Sequence, residues 1–419
     1  MTYKLNERRY IMDLIKVLEN KTITDVSGFK ATGVACGLKN NGNKDLCIIY
    51  SEKKAVAAAA FTTNKVKAAP VLLNMKNIEG DNIQAIVANS GNANACTGDD
   101  GYEKAVLMSK KTASALNIAP NEVMVASTGV IGVPLPIEKI VSGIEEASKN
   151  LSKTGGIDAA RAIMTTDTCE KIYTVEFHLG DKVAHISGMA KGSGMIHPNM
   201  ATMLSFIATD ANITKSMLNK ALKESVEDSY NMISVDGDTS TNDMVIVLAN
   251  GASENILIDS EDINYFVFKK ALHQVNTELS KMIAKDGEGA TKLLEVKVYN
   301  ACSVKDAKLC AKSVITSSLV KAAFFGADAN WGRILCALGY GGGNFRVDGV
   351  DVFFSNQIGS IQICKNGGHL EFDEILAKQI LDEDKITIAI DLNDGECCAT
   401  AWGCDLTYDY VKINGSYRS

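Results

Sequence analysis

The stretch Lys191-Gly-Ser-Gly-Met-Ile-His-Pro-Asn-Met-Ala-Thr202 is the part of this sequence best suited to chemistry. Two glycines, a proline and a small alanine lead to a hydroxyl residue, and an apolar run over 203–207 follows it. A threonine can attack the carbonyl of the preceding residue when the backbone is strained and the carbonyl oxygen is stabilised. The N-to-O acyl shift gives an ester that water opens, leaving Ala201 as one new terminus and Thr202 as the other. Gly192 and Gly194 could supply the permissive backbone such a turn requires. A freed Thr202 carries a hydroxyl nucleophile and an α-amine with an ordinary pKa of roughly 7.7–8.0, and that amine can take the hydroxyl proton. No histidine or aspartate partner is then needed, which suits a chain whose 5 histidines are scattered and form no Ser-His-Asp order. An Ala-Thr pair is common and usually inert, so the residues alone leave self-cleavage and an ordinary threonine both open.

The pattern along the chain supplies a scaffold to position these groups. Short apolar strands alternate with amphipathic helices, so the fold class is mixed α and β. The segments 83–88 (IQAIVA) and 122–126 (EVMVA) predict buried strands, each ending in a turn that contains Gly or Ser. Tyr102, Val106, Ala113 and Leu116 mark one face of a helix between them, with Asp99 or Asp100 as its cap. Ile137, Ile140, Val141 and Ile144 predict another helix behind Pro136. Strands at 172–177 and 183–187 form a hairpin hinged at Gly180-Asp181. Beyond Thr202 the spacing predicts a helix through Met217, Leu218, Ala221, Leu222 and Val226, a buried strand at 244–249, and a long helix from Asp262 toward Ala284. Strands near 352–354, 361–364 and 385–390 and a helix near 372–381 complete the reading, with a domain boundary placed at the Asp286 loop.

With 419 residues, 46% hydrophobic and 22% charged, the chain is an ordinary globular protein large enough for two or three domains. A net charge of −7 with no basic run argues against nucleic acid as a partner. The apolar stretch at 55–61 is too short to span a bilayer. The basic, amphipathic segment 1–21 is read as a short extra helix rather than a targeting peptide, so a cytoplasmic address is expected. The 11 cysteines include no Cys-x-x-Cys pair and are expected to be reduced. Asp236-Gly-Asp-Thr-Ser-Thr-Asn-Asp243 lacks the sixth-place glycine and closing glutamate of a calcium loop and is read as a hydrogen-bonded turn. Gly341-Gly-Gly343 lacks the Lys-Ser/Thr ending of a phosphate loop. No metal and no cofactor is called for.

The segment from Lys191 to Leu204, KGSGMIHPNMATML, resembles the processing site of the ornithine acetyltransferases, or bifunctional glutamate N-acetyltransferases, of arginine biosynthesis. Asn89-Ser-Gly-Asn-Ala-Asn-Ala-Cys-Thr-Gly98, Ser127-Thr-Gly-Val-Ile-Gly132, Met164-Thr-Thr-Asp-Thr168, Ser234-Val-Asp-Gly-Asp-Thr-Ser-Thr-Asn-Asp243 and Ala327-Asp-Ala-Asn-Trp-Gly-Arg333 are similar to that family in matching order. The likeness runs from about Gly28 to the C-terminus. It implies an α/β/β/α-type sandwich with a smaller second α/β domain. On that reading 1–285 is the main catalytic unit, 286–394 the smaller one, and the tail from about 395 to 419 returns to the active site.

The resemblance also implies roles. Cleavage between Ala201 and Thr202 would give an α chain (1–201) and a β chain (202–419), assembled as a heterotetramer of two of each. Thr202 would be acetylated by N²-acetylornithine and pass the acetyl group to glutamate in a ping-pong sequence. Thr128 and Gly129 would form the oxyanion site, and a sharp turn after the 122–126 strand could aim a hydroxyl and an N–H at one point. Lys191 would meet the substrate carboxylate and Glu288 the ornithine ammonium, with a glycine on each side of Glu288 allowing close ligand approach. Thr165 and Thr166 would offer hydroxyls, with no sign of which points inward. Asn414 and Ser419 would contact substrate from the tail. No residue pattern decides whether acetyl-CoA is a second acetyl donor. A self-processing aminopeptidase or amidase using the same threonine is the first alternative, and an unprocessed binding protein of the same fold the second.

Overall fold

The computed structural model of the chain describes residues 14–197 and 203–416. Strands β1 (Ile15–Val17), β2 (Phe29–Val34) and β3 (Leu46–Phe61) come first. Helix α1 (Ala69–Asn77), β4 (Ile83–Asn92), α2 (Gly98–Leu116), β5 (Val123–Val130), α3 (Ile137–Lys149) and α4 (Gly156–Ile163) follow. Then come β6 (Lys171–Leu179), β7 (Lys182–Lys191), β8 (Leu204–Thr209), α5 (Lys215–Glu227), β9 (Ile233–Ser234), β10 (Met244–Ala249) and α6 (Ile263–Lys285).

Strand β3 creates two sheet layers from one chain of hydrogen bonds. Its first half pairs with β2 and β4, from Leu46 to Tyr50, and its second half pairs with β10, from Val56 to Phe61. Between them the register with β4 slips, Tyr50 opposing Ala85 and Ala55 opposing Ile83. That irregularity falls on Ser51-Glu52-Lys53-Lys54, where polar side chains interrupt the apolar run. A bulge of this kind bends a strand and lets one sheet fold onto itself.

Because both faces of each half-sheet are covered, successive residues of a strand face different cores. Cys47, Ile49, Ile86, Ala88, Met124 and Ala126 of one half meet Met189, Leu204, Phe206, Met244, Ile246 and Leu248 of the other. The alternate residues Leu46, Ile48, Ala85, Val87, Val123 and Val125 pack outward against α2 and α3. On the far side Val175, Phe177, Ile186, Ile207, Val245 and Val247 pack outward against α5 and α6. The order helix, sheet, sheet, helix is the expected α/β/β/α sandwich, and burial on both faces explains why its strands are apolar runs rather than alternating patterns.

A second sheet, ordered β14-β13-β12-β15-β11-β16-β9, lies beyond α6. It contains β11 (Leu293–Ala301), β12 (Asp351–Ser355), β13 (Ser360–Lys365), β14 (Gly368–His369), β15 (Lys385–Asp391) and β16 (Cys397–Cys404). Helices α7 (Val304–Thr316), α8 (Ser318–Phe325), α9 (Trp331–Tyr340) and α10 (Glu374–Asp382) accompany it, and α11 (Tyr408–Ser416) closes the described chain. Strand β9, contributed by the segment between α5 and β10, pairs with β16 at Ile233–Trp402 and stitches the two parts together.

Two local expectations fail. The described part of the N-terminal segment forms β1, antiparallel to β6 with Ile15 opposite Phe177, rather than a helix. The edge of β6 presents unpaired backbone groups, and filling them outweighs a local amphipathic pattern; residues 1–13 lie outside the described residues. Neither Asp99 nor Asp100 caps α2. Thr97 holds the N-cap position, and the two aspartates sit in the first turn, facing the positive helix end. The predicted hairpin is present, with Leu179 opposite Lys182 and Gly180 at φ +66° supplying the left-handed corner.

Candidate active site

A cavity of about 140 Å³ opens where β5, β7, β8 and the tail helix α11 converge. It is lined by Thr128, Gly129, Thr165, Thr166, Lys191, Gly194, Met203, Leu204, Asn242, Glu288 and Asn414, among others. Thus seven of the expected oxyanion and substrate-binding residues meet in one place although up to 286 positions separate them along the chain. Ala201, Thr202 and Ser419 lie outside the described residues; Met203 and Leu204, next in the chain after Thr202, do line the cavity.

The Thr128-Gly129 turn is built by contacts with the 89–98 motif. Strands β4 and β5 run parallel, and their register slips where Asn92 faces both Thr128 and Val130. Gly129 has φ +131°, and a Cβ there would lie 2.4 Å from the Gly91 carbonyl carbon. Asn89 accepts a hydrogen bond from the Ser127 hydroxyl at 2.6 Å. Asn242 donates to the carbonyls of Ala93 and Ser127 at 2.5 and 2.8 Å. Two glycine-bearing turns are thereby pressed together and held by buried amides, whose unmade bonds would each cost about 1–3 kcal/mol.

Lys191 ends β7 with only 7% of its surface exposed. Its Nζ lies 3.5 Å from the Thr128 hydroxyl and 4.0 Å from an oxygen of buried Asp167. Asp167 also accepts from the N–H groups of Thr165 and Gly192 and from Lys171 Nζ, at 2.9, 2.6 and 2.7 Å. Burial alone would raise the Asp167 pKa, but the adjacent Lys191 and Lys171 charges outweigh it and hold the carboxyl well below the usual range. Burial would lower the Lys171 pKa, and the Asp167 and Asp286 carboxylates instead hold it above the ordinary lysine value.

Glu288 is likewise 9% exposed, and its carboxylate accepts from Asn414 Nδ2 at 2.7 Å. Gly287 and Gly289 do not open space for a ligand, contrary to expectation. A Cβ on Gly287 would meet Cys404 Sγ at 2.8 Å, and one on Gly289 would meet the Tyr410 backbone nitrogen at 2.7 Å. Both glycines let the protein's own tail pack closely. The residue that clears room for the carboxylate is Gly194, whose Cβ would lie 2.3 Å from Glu288 Cδ.

The backbone leading to the 198–202 segment is fastened on both sides. Asp236 accepts from the N–H groups of Met195 and Ile196 at 2.6 and 2.8 Å and from the Tyr410 hydroxyl at 3.3 Å. The Ser193 hydroxyl donates to the Asp286 carbonyl at 2.6 Å, and the Ser193 carbonyl accepts from Glu288 N–H at 3.0 Å. Within 236–243 the Asp238 N–H donates to Asp236 Oδ1 and the Asn242 N–H to the Ser240 hydroxyl, each at 3.2 Å, the hydrogen-bonded turn the sequence suggested. Met195 adopts φ +59°, strain for a non-glycine residue that these contacts sustain. Both Thr165 and Thr166 line the cavity. Sequence reasoning missed Asp167, Lys171, Asp236, Asn242 and Asp286. Asp167, Asp236 and Asn242 fall inside the quoted motifs and Asp286 is two residues before Glu288, yet a buried pair such as Asp167–Lys171 has no signature beyond its four-residue spacing.

Fold and site define an α/β/β/α sandwich protein with a small cleft that presents a cation, an anion and a glycine-bearing turn. The chain belongs to the ArgJ family, whose model matches residues 30–419. It is 68% identical over 408 residues to the arginine biosynthesis bifunctional protein ArgJ 1 of Clostridium acetobutylicum, covering 97% of this chain and all of that one. Its identity to the ArgJ protein of Caldanaerobacter subterraneus is 56% over 405 residues, again 97% and 100% of the two chains. Among solved structures, the ArgJ protein of Bacillus halodurans is 45% identical with a TM-score of 0.49, covering 52% of this chain and all of that one. No helix among the described residues is long and apolar enough to cross a membrane.

Proposed function

We propose that this protein is a glutamate N-acetyltransferase of arginine biosynthesis, moving acetyl from N²-acetylornithine to glutamate through an acetyl-Thr202 ester. The observation that carries the reading is the joint placement of Lys191, Glu288 and the Thr128-Gly129 turn around a cavity whose wall includes the residues following Thr202. After cleavage at Ala201–Thr202, the Thr202 amine takes the hydroxyl proton as Oγ attacks the acetyl carbonyl. Thr128 and the Gly129 N–H stabilise the oxyanion, the ornithine α-nitrogen leaves with the proton, and the ester remains. Glutamate then enters, its amine attacks the ester, and N-acetylglutamate departs as Thr202 regains its proton. Lys191 pairs with the α-carboxylate of either substrate, and Glu288, oriented by Asn414, with the ornithine ammonium.

The same reading includes a cytoplasmic enzyme of two α and two β chains, Ser419 and Asn414 touching substrate, and a catalytic unit over 1–285 beside a smaller one over 286–394. Strands β11 to β15 of the second sheet all fall within 286–394, which supports that division, while β9 and β16 join the sheet from either side of it.

Initial rates of acetyl transfer from N²-acetylornithine to glutamate test the proposal. Parallel reciprocal plots, with one acetyl mass appearing on the 202–419 chain, are expected. Hydrolysis of amino-acid amides without acetyl transfer would make the amidase alternative correct and overturn this one.

A pH profile follows from the amine's role. The amine must be neutral to act as base, so kcat/KM should rise with one ionisation near its ordinary range of about 7.7–8.0 and then level off. Asp167, depressed in the folded state, stays ionised until pH falls through its folded pKa. Lys171, raised, stays charged until pH climbs above its own. Burial and Lys312 push His197 down to about 4, so it is neutral above pH 5. A flat profile between pH 6 and 9 would count against the amine as base.

Gly194→Ala should displace the Glu288 carboxylate without straining the backbone, since its φ lies outside the left-handed region. The KM for N²-acetylornithine is expected to rise about tenfold, and kcat to change less, because only uniform binding is lost. Steady-state kinetics check this, and an unchanged KM would separate Glu288 from the ammonium.

A further inference from the structure

Lys171 is completely buried at the start of β6, paired across the sheet with Ala190, the neighbour of Lys191. Its Nζ stands 2.7 Å from Asp167 Oδ1 and 2.5 Å from Asp286 Oδ2. The two carboxylates hold different segments beside the cleft. Asp167 holds the Thr165 and Gly192 amides and faces Lys191. Asp286 accepts from Thr168 N–H at 3.0 Å, receives the Ser193 hydroxyl on its carbonyl, and precedes Glu288 by two residues. Lys171 and Asp286 are 115 positions apart and fall on opposite sides of the Ala201–Thr202 bond.

We propose that Lys171 is a positioning residue that fixes the distance between the Lys191 cation and the Glu288 anion by bridging Asp167 and Asp286 across the two processed chains. Stability alone is a weak reason for such a bridge. Buried ion pairs replaced by apolar groups of similar volume are often neutral or more stable, whereas a pair missing one partner is strongly destabilised. What a buried charge does supply is geometry: its partners have few low-energy positions other than those facing it. Here those partners anchor the end of β7 and the 286–289 loop, which carry the two substrate-recognising charges, and Lys171, Lys191, Asp167 and Asp286 together are electrically balanced. This inference rests on the reading of the cleft as an amino-acid acyl-transfer site.

Lys171→Met and the charge-balanced double variant Lys171→Met/Asp286→Asn separate positioning from support. Each is measured for KM, kcat, melting temperature and, by calorimetry, affinity for L-ornithine. The single variant leaves a buried carboxylate unpaired and should lose both stability and substrate affinity. The double variant removes one charge of each sign and should recover melting temperature, with KM for both substrates still raised about tenfold and kcat changed less. Should the single variant fail to fold, the double variant carries the test. A double variant whose KM and ornithine affinity return to wild-type values with its melting temperature would overturn the proposal. If the wild-type protein transfers no acetyl group, it is the functional reading that fails, and ornithine affinity in the same variants still decides the positioning role.

Discussion

Thr202→Ala is expected to give one uncut chain of 44.8 kDa and to lose acetyl transfer altogether. The hydroxyl would be the attacking group twice, first on the Ala201 carbonyl and then on the acetyl carbonyl of the donor. Removing it therefore abolishes processing and acyl transfer together. Loss of a nucleophile from a unit that acts in concert costs on the order of 10⁶-fold in kcat. Thr202→Ser keeps both hydroxyl and amine and should still cut and still turn over. Lys191 and Glu288 are untouched in either variant, so ornithine should still bind, which distinguishes a missing nucleophile from a collapsed cleft. Intact mass spectrometry after a long incubation reads the first outcome, and initial rates the second. A wild-type chain that stays whole would leave Thr202 with no free amine, and the mechanism would fall. The geometry makes cleavage physically reasonable: Gly192, Ser193, Met195 and Ile196 are each bonded to fixed partners just before the segment that must distort.

The elements that sequence reasoning finds are those whose burial is local and regular. The strand at 244–249 and the long helix capped by Asp262 appear where expected, because an unbroken apolar run and a helical repeat each leave a direct trace. Strand β3 left none. Its second half is Ala-rich, alanine is a poor strand former, and four polar residues interrupt it; its identity comes from pairing with β10 and β4 far along the chain. Strands β11 and β16 are similarly hidden, since Lys297, Asn300 and the cysteines of 397–404 do not alternate cleanly. At the site, Lys191, Glu288, Thr128 and Gly129 were legible only through the family likeness. Nothing local in the sequence distinguishes Glu288 from a solvated glutamate. The roles of its flanking glycines were misread because the groups they accommodate, Cys404 of β16 for Gly287 and the start of the tail helix for Gly289, lie more than a hundred residues further on. Burial of the Asp167–Lys171–Asp286 chain is a property of the assembled fold and has no sequence correlate short of three-dimensional packing.

Gly129→Ala should cripple the chemical step while leaving substrate recognition largely in place. At φ +131° an alanine is strained, and its Cβ would fall 2.4 Å from the Gly91 carbonyl carbon and 2.6 Å from the Asn92 nitrogen. Those are backbone atoms, not the free end of a side chain. They are held by the parallel pairing of β4 with β5 and by Asn92 Nδ2 donating to the Val133 carbonyl at 3.1 Å. The turn carrying Thr128 and the Gly129 N–H must therefore shift. Losing one well-aimed oxyanion donor costs about 10²-fold to 10³-fold in kcat, and that is the loss expected here. Lys191 and Glu288 sit on other elements, so KM should change far less. Stability should also fall, since overpacking of this kind costs about 1–3 kcal/mol. Gly91→Ala provides the control. Gly91 also has positive φ, +102°, but its Cβ would meet only Leu38 atoms at 3.4–3.5 Å, ordinary contact distances. It shares the strain and lacks the clash, so the gap in kcat between the two variants isolates the displaced turn. Equal activities in the two, each with an intact fold by circular dichroism, would mean that the Thr128-Gly129 turn does not stabilise the oxyanion.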